Sequence, residues 1–222
     1  ASPLPPLAVQ YADFAVWQRG WLESDGLKSQ LAYWRARLGG QLPTLDIRTD
    51  RPRPEIETFR GADETLVIPH ALAGALNRLS KQEHATLFMT LVAAYKTLLY
   101  RHVGEDDVVV GTDLAGRNGA ELEGLIGFFV NLLVLRSDLS GNPTFRELLA
   151  RVRETAMGAF AHQDVPFDRL VEELRPKRHR SRTPLFQMLF VMENVPLETL
   201  HLPGLTMTPM PSQADTARFD LA

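Results

Sequence analysis

Tyr11, Phe14, Trp17 and Trp21 recur at intervals of three and four, which predicts a helix with one aromatic face. Leu27, Leu31, Trp34 and Leu38 continue the pattern until Gly39-Gly40 stops it. Three tryptophans at helical spacing read as core packing. Leu42 to Gly61 carries Pro43, Pro52 and Pro54 among mixed charges and reads as an extended surface segment. Thr65 to Ile68 then reads as a short strand, and Ala71 to Gln82 as a helix with Leu72, Leu76 and Leu79 on one side. The most regular pattern runs from Thr86 to Arg101. Its face of Leu87, Leu91, Tyr95 and Leu98 is broadened by Phe88, Val92 and Leu99, so this helix is expected to be largely buried.

Asp107 to Gly111 reads as a short buried strand. Thr112 to Leu125 is a polar loop whose Gly116, Gly119 and Gly124 allow either a mobile or a tightly turned segment. Ile126 to Arg136 is apolar on both faces apart from Asn131, the pattern of a central strand. A buried amide needs partners, so Asn131 is either satisfied by its neighbours or aimed into a cavity. Thr144 to Ala161 is a helix that a Thr144/Glu147 capping box opens, and Pro166 to Arg175 a shorter one. Between them Asp164 can cap the second helix, and Pro166 is tolerated in its first turn. Leu185 to Glu193 reads as another strand apolar on both faces, Leu197 to Pro211 as a loop, and Ala217 to Leu221 as the start of a strand. The expected fold class is mixed α/β, a mixed sheet with packed helices in one unit. The Pro-rich residues 1–10 read as a linker, and the chain, 1–222, is expected to be a piece of something larger.

Composition narrows the chemistry. A net charge of −3 over 222 residues gives no global reason to expect nucleic acid or an anionic membrane. The chain has no cysteine, which removes disulfides, thiolate metal sites and a cysteine nucleophile and fits a cytoplasmic setting. No apolar run approaches the roughly 20 residues of a membrane span. The six histidines are scattered with no metal-binding spacing, so no metal site is expected. His162 has a side chain suited to general-base work, yet its place at a helix C-terminus gives it a structural reason too. The five Lys/Arg residues between Arg175 and Arg182 read as a solvated loop, with phosphate or nucleic-acid contact as the rival. Binding to duplex or single strand that weakens with salt is what that rival requires.

Several of these stretches together resemble the condensation domain of nonribosomal peptide synthetases. Tyr11 to Gln18 resembles that family's YxDYAVWQ motif, Ile126 to Asn131 its IGxFVN motif, and His162 to Asp168 its HQDxPFE motif. Arg178 to Leu185 is similar to RDxSRNPL, with His179 where the family has Asp and Thr183 where it has Asn. Thr49 to Pro54 and Gly111 to Arg117 are similar as well, the latter with Asp113 where proline is common.

The resemblance implies a chloramphenicol-acetyltransferase-like fold of two related halves around a tunnel. It implies peptide-bond formation between donor and acceptor thioesters, each carried on the phosphopantetheine arm of a carrier protein domain, with no cofactor bound directly. The family's HHxxxDG motif is absent, since no two histidines are adjacent. The chain therefore resembles a C-terminal half that is inactive alone and has the N-terminal half as its partner. Trp17, Arg117, Asn131, His162, Gln163, Asp164 and Arg182 become tunnel or interface candidates, with no catalytic residue among them. A non-catalytic module that recruits carrier domains or a partner enzyme is the alternative. An exposed apolar face, and with it self-association, is expected of a half-domain.

Overall fold

Thr86 starts a long, largely buried helix: its hydroxyl accepts the Met89 N–H at 3.2 Å. Gly104, at φ 81°, ends it in the left-handed conformation that costs glycine little. This helix, Leu87–Val103, is α4. The computed structural model describes residues 6–177, 179–193, 204–205 and 215–222. Ahead of α4 come α1 (Tyr11–Leu22), α2 (Asp25–Leu38) and α3 (His70–Gln82). After it come β1 (Asp107–Leu114), the single turn α5 (Ala120–Glu123), β2 (Asn131–Asp138), α6 (Phe145–Ala161) and α7 (Phe167–Leu174). The capping box of Thr144 and Glu147 opens α6 as expected, with Glu147 held below the usual carboxylate range by the hydrogen bonds from Thr144.

β1 and β2 pair antiparallel, from Asp107 opposite Asp138 to Leu114 opposite Asn131. Arg136 crosses the ladder to grip the Asp107 carboxylate at 2.7–3.0 Å. Val108, Val109 and Val110 are all buried, so both faces of β1 are covered. α4 packs on β1 and α6 on β2, while α7 meets the Asn131 end of β2. Beneath the sheet, α4 buries a lysine completely. Lys96 Nζ donates to the carbonyls of Val108 (3.2 Å) and Leu135 (2.6 Å) and to Ser137 Oγ (2.9 Å). Burial pushes its pKa down to about 7, against the opposing pull of Asp107.

The sheet grows outward from β1 by single rungs. Gly111 donates to Met188 O at 2.8 Å and accepts from Phe190 at 2.9 Å, a parallel bridge. Leu189 in turn donates to Leu221 O at 2.9 Å. Gly111 is required here, because a Cβ would lie 2.1 Å from the Phe186 ring. The segment from Leu185 to Glu193 is thus buried through Phe186 and Met188 but paired at isolated bridges, not as the full strand its apolar pattern predicts.

Three other strand expectations are corrected. Ala217 to Leu221 forms no strand and carries an isolated bridge at Leu221. Thr65 to Ile68 pairs with nothing among the described residues, and Leu66 and Val67 are 88% and 80% exposed. A short apolar run without a neighbouring ladder does not make a strand. Ile126 to Val130 is not part of β2, which begins at Asn131; Ile126 is 97% exposed. β1 conversely runs three residues beyond Gly111. The expectation for Leu197 to Pro211 falls outside the described residues except at 204–205, as do residues 1–5 of the linker and Arg178 of the basic loop.

Candidate functional site

The joint between α6 and α7 is held from one side by α2. His162 closes α6, its Nδ1 donating to Gly158 O at 2.8 Å and its ring stacked on Tyr33 at 3.9 Å and 5°. Trp34 Nε1 donates to the His162 carbonyl at 2.9 Å. Gln30 brackets Asp164: its amide donates to the carboxylate at 2.7 Å and accepts the Asp164 N–H at 3.1 Å. One turn on, Arg35 pairs with Glu173 at 2.6 Å. Asp164 therefore does not cap α7, contrary to the sequence expectation, because Gln30 claims its side chain.

Asn131 takes over that task. Its Nδ2 donates to Gln163 O (2.9 Å) and Val165 O (2.8 Å), and its Oδ1 accepts from Phe167 (3.0 Å) and Leu132 (2.9 Å). Two donors and two acceptor positions are all used, so the amide is fully satisfied. Phe167 carries the first free N–H of α7, since Pro166 has none. The start of β2, the joint and the start of α7 are tied through one side chain.

An aromatic wall faces this joint. The Tyr11 hydroxyl donates to Phe128 O at 3.1 Å, and Phe129 packs edge-on against Tyr11 (5.2 Å) and tilted against Phe14 (4.7 Å). Gly127 lets the chain pass over Tyr11, where a Cβ would sit 2.2 Å from the ring. That close crossing explains why Ile126 to Val130 leaves the sheet. Gly116, at φ 67°, wraps the preceding loop around Phe129 O. Arg117 lies 4.3 Å above the Phe129 ring and bonds Leu122 O. Of the two readings of this loop, the tight turn is the one realised at Gly116.

Between wall and joint lies a cleft of about 700 Å³. Of the sequence candidates, Trp17, Asn131, Gln163 and Asp164 line it. Arg117, His162 and Arg182 do not; Arg117 braces Phe129, His162 stacks on Tyr33, and Arg182 pairs with Asp46 at 2.5 Å. Thr183, Pro184 and Phe186, beside Arg182, do reach the cleft. So do Asp168, the last residue of the 162–168 motif, and Arg218 and Phe219, which no sequence signal singles out as lining. Tyr11 and Phe14 are legible as an aromatic face, but as core rather than lining. Trp34 is core at 2% exposure, whereas Trp17 stands 58% exposed. A second hollow of about 460 Å³ lies against Val9, Asp13 and Glu121 and shares Phe14 and Trp17 with the cleft. The arrangement suits binding and orienting an apolar group, with carboxylates at Asp164 and Asp168 and a guanidinium at Arg218 for polar ends. Among the described residues no three His, Asp or Glu converge as metal ligands.

A family model described as "Condensation domain" matches residues 1–222. Linear gramicidin synthase of Brevibacillus parabrevis is 53% identical over 223 residues in one of its component proteins, covering 100% of this chain and 4% of that protein. The crystal structure of the X-domain from teicoplanin biosynthesis superposes with a TM-score of 0.88 at 30% identity, over 99% of this chain and 50% of that one. A complex of the X-domain and OxyB from the same biosynthesis gives a TM-score of 0.85 at 31% identity, over 99% and 49%. The chain thus spans about half of the solved domain and a few per cent of that synthase component.

Proposed function

The chain belongs to the condensation-domain family, with its chloramphenicol-acetyltransferase-like fold, and from that premise we propose that it is the acceptor-side half of a peptide-bond-forming domain in a nonribosomal peptide synthetase. The acceptor's amine nitrogen attacks the donor's thioester carbon, the C–S bond breaks, and the nitrogen loses a proton as the thiol leaves. Both substrates arrive on phosphopantetheine arms of carrier domains. The demand on the protein is orientation of two tethered groups and management of that proton. This half supplies the aromatic wall and the polar joint. The reacting histidine of the family motif comes from another segment, since no two histidines adjoin in this one. On this reading the domain works in the cytoplasm beside its carriers. No helix among the described residues is long and apolar enough to cross a membrane.

The observation that supports the reading is convergence. The motifs at 11–18, 126–131, 162–168 and 178–185, far apart in the chain, each contribute lining to one cleft. The test is transfer between donor- and acceptor-loaded carrier proteins. The chain alone is expected to form no peptide, and the domain that joins it to a segment bearing the adjacent histidines is expected to form it. Product from the chain alone removes the inactivity claim, and no product from the joined domain removes the peptide-bond reading.

A second reading has one observation in its favour, the likeness to an X-domain solved in complex with another protein. A non-catalytic module would recruit a carrier domain or a partner enzyme through the same fold. A joined domain that binds loaded carriers without transfer distinguishes it.

A further inference from the structure

Trp17 stands on the wall between the cleft and the second hollow. The two share Phe14, Trp17, Asn118 and Leu122, and the indole is the largest of these side chains. Core packing within this chain does not account for it. No residue of α1 is fully buried, and among the described residues Phe14, at 5.7 Å, is the one aromatic neighbour of Trp17. Its Nε1 has no hydrogen-bond partner among the described residues, whereas that of Trp34 is bonded to His162. A large apolar side chain left exposed between two hollows acts chiefly as a partition.

Resting on the peptide-bond reading, we propose that Trp17 is a specificity-determining residue that limits the size of the apolar side chain on the acceptor. The acceptor is favoured over the donor by charge. Its amine can carry a proton, and the described lining of the cleft holds the carboxylates of Asp164, which also accepts from Gln30, and Asp168 against the guanidinium of Arg218. The donor's nitrogen, once acylated, is neutral and has no use for that balance. With the indole in place, the cleft and the second hollow are separate spaces of about 700 and 460 Å³. Without it, the neighbouring 460 Å³ joins the same cavity. Apolar pockets discriminate modestly, about 10–200-fold per methylene, so the effect should appear as a changed ranking and not as an absolute switch.

The test measures kcat/KM in the joined domain for acceptors bearing Gly, Ala, Leu, Phe and Trp, with wild type, Trp17→Phe and Trp17→Ala. Trp17→Ala is expected to raise the ratio of bulky to small acceptors by about 10-fold or more, with Trp17→Phe between it and wild type and the donor ranking unchanged. An equal loss for every acceptor indicates packing against the other half and overturns the proposal, as does a shift confined to donors. Calorimetric binding of the same aminoacyl-pantetheine thioesters to the chain is measured in parallel. If wild type transfers to no acceptor, the peptide-bond reading fails, and this binding series still decides the role of Trp17. A size profile shared by wild type and Trp17→Phe overturns it, even where Trp17→Ala does not fold.

Discussion

The indole N–H of Trp34 and the carbonyl of His162, 128 positions apart, meet at 2.9 Å. This bond fixes the end of α6 to α2 at the point where the cleft wall turns. Replacing Trp34 with Phe leaves that carbonyl without its donor in a half-buried place. The expected cost is about 1–3 kcal/mol for the orphaned group, before any loss of packing. A urea midpoint unchanged from wild type would show that water satisfies the carbonyl.

Asn131→Ala removes the partners of two carbonyls and of the Phe167 N–H together. The cap alone is worth about 1 kcal/mol, and the two carbonyls add to it, so a loss of at least about 2 kcal/mol is expected. Hydrogen exchange locates the effect: the amides of the first turn of α7 should exchange faster while those of α4 keep their protection. Uniform acceleration across both helices counts against a local role.

Lys96 makes stability depend on pH. Its folded pKa of about 7 lies below the ordinary 10.5. Between those values the unfolded chain binds more protons than the folded one, so stability rises with pH across that window. Below it both states are protonated and the penalty of burying the charge is complete. Above it the penalty is gone. Lys96→Met should flatten this rise in urea midpoints taken from pH 6 to 10, and parallel curves for the two proteins would refute it.

Gly111→Ala sets a methyl 2.1 Å from the Phe186 ring, which is itself buried. Overpacking of this kind costs about 1–3 kcal/mol. Phe186→Leu in the same protein is expected to recover part of the loss. A double variant no better than Gly111→Ala alone places the strain elsewhere.

Leu66, Val67, Ile126 and Phe128 all present apolar side chains to solvent. The isolated chain is expected to self-associate as its concentration rises. Sedimentation velocity across a concentration series checks this, and a monomer throughout rules it out.

Helices are legible in the sequence because their signals are local. Thr144 and Glu147 mark a start three residues apart, and Leu27 to Leu38 repeats on one face of a single element. The strands are less so. Ile126 to Val130 has strand composition, but its course depends on Tyr11, more than a hundred positions earlier, packing against Gly127. Proximity points to Asp164 as the cap of α7, and the cap is Asn131 because Gln30 engages Asp164. Trp17 and Trp34 have the same helical spacing and opposite burial. Periodicity reports a face, not what the face meets. The ordered motifs carry the family, and how they share one cleft is visible only in three dimensions.

The rungs outside β1 have a kinetic meaning. β1 and β2 are joined by a loop of 16 residues, numbers 115–130, with α4 just before them and α6 just after, so that pairing can form early. The bridge from Gly111 to Leu189 closes a loop several times longer, and the one from Met188 to Leu221 also closes a longer one. Loop closure must come before such contacts repay it, which makes long-range parallel pairing slow. Refolding should therefore show a fast phase that protects the amides of β1 and β2 from exchange. A slower one should seat Phe186 against Gly111 and bring the far wall of the cleft into place.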